Sequence, residues 1–181
     1  MNIQGLQKLT LLDYPGNVAC TVFLAGCNFR CPFCHNASLV THVDVEAQIP
    51  EEEVLSFLKK RSGVLDGVCI TGGEPLLSTD LEEFIRKVKE MGYKVKLDTN
   101  GSHTEKLKHL AEAGFIDYVA MDIKNAPGKY GMTIGIEDYD PANVAKSAAY
   151  LMAGSIPYEF RTTVVRENSI RGRILRRSAD G

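Results

Sequence analysis

Two rhythms of apolar and polar residues alternate along this chain. Short β-branched apolar runs end in turn residues, and each is followed by a stretch in which apolar positions return every three or four residues. Val18 to Ala25 (VACTVFLA) is the first run and predicts a buried strand ending at Gly26. Val54, Leu55 and Leu58 stripe the next helix. Pro50 should open it at proline's favoured first-turn position, Glu51, Glu52 and Glu53 complement its dipole, and Gly63 ends it. Gly67 to Thr71 (GVCIT) predicts a second strand. Leu81, Phe84, Ile85, Val88 and Met91 then form one helical face, with Thr79 and Glu82 spaced for a capping box. Tyr93 to Leu97 reads as a third strand, and Leu107, Leu110 and Ala111 as a helix stopped near Gly114. Ile116 to Ile123 reads as a fourth strand, Val144, Ala148 and Leu151 as a helix ended at Gly154, and Tyr158 to Val165 as a fifth strand.

Strands alternating with helices imply parallel strands joined by right-handed crossovers. No linker interrupts the pattern, so residues 1–165 read as one domain. Residues 166–181 (RENSIRGRILRRSADG) carry five arginines and little apolar periodicity. They read as a solvated, poorly ordered tail, with a basic docking segment as the alternative.

Composition narrows the class. A length of 181 residues suffices for a hydrophobic core. A net charge of -2 gives the chain no electrostatic reason to seek nucleic acid or acidic membranes. No apolar run is long enough to span a bilayer, and Met1 to Asp13 lacks the basic-then-apolar order of a signal peptide. The five cysteines are an odd number, and three fall within eight residues. That distribution suits a reducing cytoplasm and a metal site rather than a disulfide framework. Cys20 and Cys69 sit in apolar runs and read as small buried hydrophobes.

The candidate chemistry follows the strands. Cys27, Cys31 and Cys34 form a C-x3-C-x2-C loop after the first strand. An iron–sulfur cube normally takes four thiolates, so three closely spaced ones can hold three irons and leave the fourth open. The competing reading is zinc, which prefers four closed N/S ligands in separated pairs. His35 or His42 would then be the fourth ligand, but His35 directly follows Cys34, which makes joint ligation awkward. Gly72 and Gly73 follow the second strand and allow close backbone approach to a ligand, while Glu74 adds a carboxylate suited to an ammonium group. A tight strand-to-helix turn is the alternative. Asp98 and Asp122 stand at later strand ends and need a cation, a ligand group or helix N–H groups as partners. Asn100-Gly101 fits either a ligand contact or ordinary turn chemistry. Lys124 is placed to pair with Asp122 or to hold a ligand carboxylate, and Arg161 in an apolar strand wants an acidic partner or an anionic ligand. His103 and His109 fall on or near a helix and read as surface residues. All the rim motifs lie at C-terminal strand ends, where ligands bind in parallel α/β folds.

With TGGEP, LDTNG, AMDIK and YEFRTTVV, the stretch LQKLTLLDYPGNVACTVFLAGCNFRCPFCHN resembles the radical S-adenosylmethionine (SAM) superfamily. Within it, residues 3 to 165 are similar to the activating proteins of anaerobic ribonucleoside-triphosphate reductase and to pyruvate formate-lyase activating enzymes, which generate a glycyl radical on a large partner. The resemblance implies a partial, open TIM-like barrel of five to six parallel strands, short at its C-terminal end because the arginine-rich tail does not match the family's usual further helix and strand. It implies that Cys27, Cys31 and Cys34 ligate a [4Fe–4S] cluster whose open iron binds SAM. It places Phe33 near the adenine and Gly72, Gly73 and Glu74 at the methionyl ammonium. Asp98 and Asp122 would contact SAM or a nearby monovalent cation, Asn100 belongs to the same rim, and Lys124 and Arg161 would serve the carboxylate or ribose. The implied partners are the reductase and a flavodoxin or ferredoxin donor. Two other readings stand beside it: a radical SAM enzyme acting on a small molecule or peptide, and a non-catalytic metal-binding interaction protein.

Overall fold

The computed structural model describes residues 1–41, 43–44, 46–154 and 156–164. Six strands form one sheet in sequence order: β1 (Ile3–Thr10), β2 (Ala19–Leu24), β3 (Gly67–Gly72), β4 (Lys94–Thr99), β5 (Tyr118–Asp122) and β6 (Tyr158–Arg161). β2 to β6 run parallel, and β1 pairs antiparallel to β2. The sheet is open: β1 and β6 are its two edges. Helices α2 (Glu51–Lys60), α3 (Leu81–Glu90), α4 (Thr104–Glu112) and α6 (Ala142–Met152) fill the four crossovers, as the alternating rhythm predicts. Two short helices, α1 (Ser38–Thr41) and α5 (Tyr130–Ile134), lie in the loops after β2 and β5.

The strand period of two gives the sheet two different faces. Val22, Leu24, Val68, Ile70, Val95, Leu97, Val119 and Met121 share one core with Val54, Leu58, Phe84, Ile85, Val88, Leu107, Leu110, Val144 and Leu151 of the helices. The opposite face is polar. Register aligns Thr21, Cys69, Lys96 and Tyr118 in one row across β2 to β5. Asp98, Ala120 and Glu159 form the next, and Asp122 stands opposite Arg161. Cys20 and Cys69 are both fully buried, as expected, but only Cys20 belongs to the apolar core.

Several elements differ from the sequence pattern. β1 was not expected. Only its end residues Ile3 and Thr10 are buried, and two register irregularities erase any alternation. The sixth strand is thus N-terminal and antiparallel, which leaves five parallel strands. Pro50 caps α2 from an extended conformation (φ -60, ψ 140) instead of occupying its first turn. Thr79 and Glu82 make no capping box: Asp80 is the residue preceding α3, Thr79 bonds Asp80, and Glu82 turns to His109. β6 stops at Arg161. Val165 and the arginine-rich tail, 166–181, lie outside the described residues, as does His42.

Candidate active site

The loop after β2 carries the cysteines and is pinned from below. Phe29 is buried and meets Tyr139 edge-on at 5.2 Å between ring centroids and Tyr130 at 6.4 Å. The Arg30 N–H donates to the carbonyl of Ile134 at the end of α5 (2.8 Å). Held this way, Cys27, Cys31 and Cys34 line a cavity of about 530 Å3, and the half-buried ring of Phe33 lines it beside them. That volume is in the range of small-molecule sites. All three thiols are free. Burial raises the pKa of Cys27 above its ordinary 9.0 and pushes Cys31 up to about 11, so both are protonated at neutral pH until a metal displaces the proton.

Across the cavity, β3 runs into Gly72-Gly73. Gly72 has φ +118, and a Cβ there would strike the backbone of Leu24. A Cβ on Gly73 would overlap the carbonyl of Gly26. Backbone therefore packs on backbone: Gly73 N–H donates to Leu24 O and Glu74 N–H to Gly26 O, both at 2.8 Å. Asn36 Nδ2 binds Gly72 O (3.0 Å) and ties the cysteine loop to the same corner. Any side chain at either glycine would separate the loop from the sheet.

Glu74 departs from the predicted ammonium contact. Its side chain is buried and is not part of the cavity wall. The carboxylate accepts from Leu76 N–H (3.1 Å), Thr99 Oγ1 (2.8 Å) and Asn100 N–H (2.6 Å). It joins the exit of β3 to the exit of β4. Burial, opposed by these three hydrogen bonds, pushes its pKa from 4.5 up to about 7.

The charged strand ends form a chain of alternating sign along the polar face. Lys96 Nζ binds Asp98 Oδ1 (2.6 Å) and lies 3.7 Å from Glu159. Arg161 donates to Asp98 Oδ2 (3.0 Å) and Asp122 Oδ1 (3.2 Å), and Lys124 Nζ binds Asp122 Oδ2 (2.8 Å). Burial works against the charge on Arg161, but the two carboxylates outweigh it and hold its pKa above the ordinary value. Arg161 thus has the acidic partners its strand position required. Its guanidinium stands between Asp98 and Asp122, the place the resemblance implied for a monovalent cation. Asp98, Asp122, Lys124, Arg161 and Asn100 all line the cavity. The sequence reading missed Lys96, which is 1% exposed, and Asp13, which lines the cavity and accepts from Thr21 Oγ1 (2.6 Å). Lys96 was visible in principle, two residues before Asp98 on the same strand face. His109 is exposed, as read, whereas His103 is half-buried.

Among the described residues, no three His, Cys, Asp or Glu side chains converge on a point as they would around one metal ion. Three free thiols on one loop, all lining one cavity, are a donor set that fits an iron–sulfur cluster, in which each thiolate takes a separate iron. An open, mostly parallel α/β half-barrel, with its cavity at the C-terminal rim and a three-thiol loop on the cavity wall, defines a cofactor-dependent enzyme core. The chain belongs to the radical SAM superfamily, whose family model matches residues 21–171. Membership implies a [4Fe–4S] cluster and S-adenosylmethionine. The chain is 38% identical over 132 residues to MJ1227 of Methanocaldococcus jannaschii, provisionally named a glycyl-radical enzyme activating enzyme, covering 71% of this chain and 52% of that one. It is 32% identical over 133 residues to a pyruvate formate-lyase-activating enzyme of Listeria monocytogenes, covering 67% and 52%. The chain spans about half the length of these relatives. The solved structure of anSMEcpe with bound AdoMet shares the fold, with a TM-score of 0.56 at 20% identity over 76% of this chain and 40% of that one. Among the described residues no helix is long and apolar enough to cross a membrane.

Proposed function

We propose that this chain is the core of an activating enzyme that installs a glycyl radical on an anaerobic ribonucleoside-triphosphate reductase. The observation that carries the reading is the shared cavity. Three thiols of one loop, the Gly72-Gly73 edge and the charged ends of β4, β5 and β6 all face one space, in a chain similar to proteins named for activating glycyl-radical enzymes. Cys27, Cys31 and Cys34 are the residues that would hold the cluster. When bound, the cluster and SAM would supply the one-electron radical chemistry that forming a glycyl radical on the partner requires.

The chain's own residues bind, orient and shield. Phe33 offers its ring to the adenine. Gly72 and Gly73 bring backbone groups to the methionyl end without the bulk of side chains. Lys124 and Arg161 face the carboxylate and ribose, and Asp98 and Asp122 keep those two cations fixed. Glu74 braces the floor through its three hydrogen bonds. Residues 1–165 form this core, and a flavodoxin or ferredoxin delivers the electron.

The test is anaerobic reconstitution with iron and sulfide, followed by SAM, a reductant and the reductase encoded in the same genome. The expected result is 5′-deoxyadenosine together with a glycyl-radical doublet in electron paramagnetic resonance that requires the reductase. SAM cleavage without that doublet would overturn the choice of partner. Absence of SAM cleavage by a fully loaded cluster would overturn the enzyme reading itself.

A further inference from the structure

A closed ring of three side chains joins the cysteine loop to the loop after β4. Asn100 Nδ2 donates to Asn28 Oδ1 (2.9 Å), Asn28 Nδ2 donates to Ser102 Oγ (2.9 Å), and Ser102 Oγ donates to Asn100 Oδ1 (2.6 Å). The backbone fixes which way the ring runs. Ser102 N–H also donates to Asn100 Oδ1 (2.9 Å), and a backbone N–H has no other role available. The oxygen of Asn100 is therefore committed, and its amide nitrogen faces the other side. On that side lies Cys27 Sγ at 3.8 Å. The Phe29 N–H reaches the same sulfur at 3.3 Å. Among the described residues, Asn100 is the one side chain that donates to any of the three thiol sulfurs of the loop. Asn100 and Ser102 are nearly buried, so water does not compete freely for these groups.

We infer that Asn100 is a positioning residue that acts through Cys27: it directs an N–H at the Cys27 sulfur and raises the reduction potential of the cluster held there. The inference rests on Cys27 being a cluster ligand, as proposed above. A hydrogen bond to a ligating sulfur stabilises the more negative, reduced state, and such bonds are among the protein's means of setting cluster potential. The ring keeps the donor in place. Asn28 lies next to Cys27 in sequence, so the ring also couples the sulfur's position to β4.

The experiment is a redox titration of the reconstituted holoprotein, read by electron paramagnetic resonance. It is combined with hyperfine spectroscopy of the reduced cluster in H2O and D2O. In Asn100→Leu the reduced-to-oxidised ratio at a fixed ambient potential should fall about tenfold, equivalent to about 59 mV for a one-electron couple. One exchangeable-proton coupling should be lost. Ser102→Ala loosens the ring without touching the sulfur and should shift the ratio less, in the same direction. Full iron content with an unshifted midpoint and intact couplings in Asn100→Leu would overturn the inference. If that variant assembles no cluster, Ser102→Ala decides: a loaded cluster at the wild-type midpoint overturns it, and a lowered midpoint supports it. Cys27→Ala separates this inference from the reading beneath it. A full cluster retained in Cys27→Ala would refute the ligand assignment and the inference together. Loss of the cluster there, with Asn100→Leu unshifted, would refute the inference alone.

Discussion

Glu74 makes the stability of this fold depend on pH in an unusual direction. Its carboxyl is fully enclosed, and burial lifts its pKa from 4.5 in the unfolded chain to about 7 in the fold. For an acid raised in this way, both states are protonated below 4.5 and folding carries no penalty. Between 4.5 and 7 the unfolded chain ionises while the folded one does not, so stability falls as pH rises. At about 1.36 kcal/mol per unit, the linkage between pH 5 and pH 8 is about 2.5 kcal/mol. Glu74→Gln removes the titration and supplies the comparison. The amide keeps one oxygen for Leu76 and Thr99 but turns a donor toward the Asn100 N–H, a pH-independent loss of about 1–3 kcal/mol. Denaturant unfolding of both proteins, run anaerobically from pH 5 to pH 8, should show the wild-type advantage shrinking by about 2–3 kcal/mol across that range. Two curves that stay parallel would show that the Glu74 carboxyl is ionised and adequately solvated in the fold, and the argument from burial would fail.

Two further substitutions test the walls of the cavity. Gly73→Ala forces the cysteine loop off the sheet and breaks the Gly73–Leu24 and Glu74–Gly26 hydrogen bonds, a loss of about 3 kcal/mol visible as a lowered Tm and reduced iron loading; an unchanged Tm would mean that the loop moves freely against β2. Arg161→Ala leaves Asp98 with Lys96 and Asp122 with Lys124, and the arginine side chain is 40% exposed. The stability loss should therefore be modest, about 1 kcal/mol, while SAM affinity of the loaded protein, measured by equilibrium dialysis, drops at least severalfold; wild-type affinity would remove Arg161 from the site.

Much of this architecture was legible in the sequence, and the reasons for success and failure are physical. Strands β2 to β5 announced themselves because one face of each packs under a helix, so Val22, Ile70, Leu97 and Val119 had to be apolar. The cysteine loop, the paired glycines and the strand-end acids were legible because a parallel sheet gathers its C-terminal ends at one rim. β1 was invisible because an edge strand with irregular register needs no alternation. The capping box failed because spacing alone cannot say which neighbour competes for Glu82, and His109 lies 27 residues away.

The roles of individual rim residues were less legible than their location. A carboxylate after a glycine pair suggests a ligand contact, yet Glu74 faces inward because the 3-10 turn at Pro75–Leu77 points its Leu76 N–H back at the side chain. Asn100 looked like a turn residue or a ligand contact. Its partner Asn28 is 72 residues away, so no local pattern could show that the amide is claimed by a ring. Lys96 is a related case. A lysine within an apolar strand needs an acidic partner, and the register row of Lys96 faces the polar interior, where Asp98 and Glu159 neutralise it. In each instance the residue type set the chemistry available, while a contact distant in sequence or a strand's facing decided whether that chemistry is offered to a ligand or consumed in holding the cavity open.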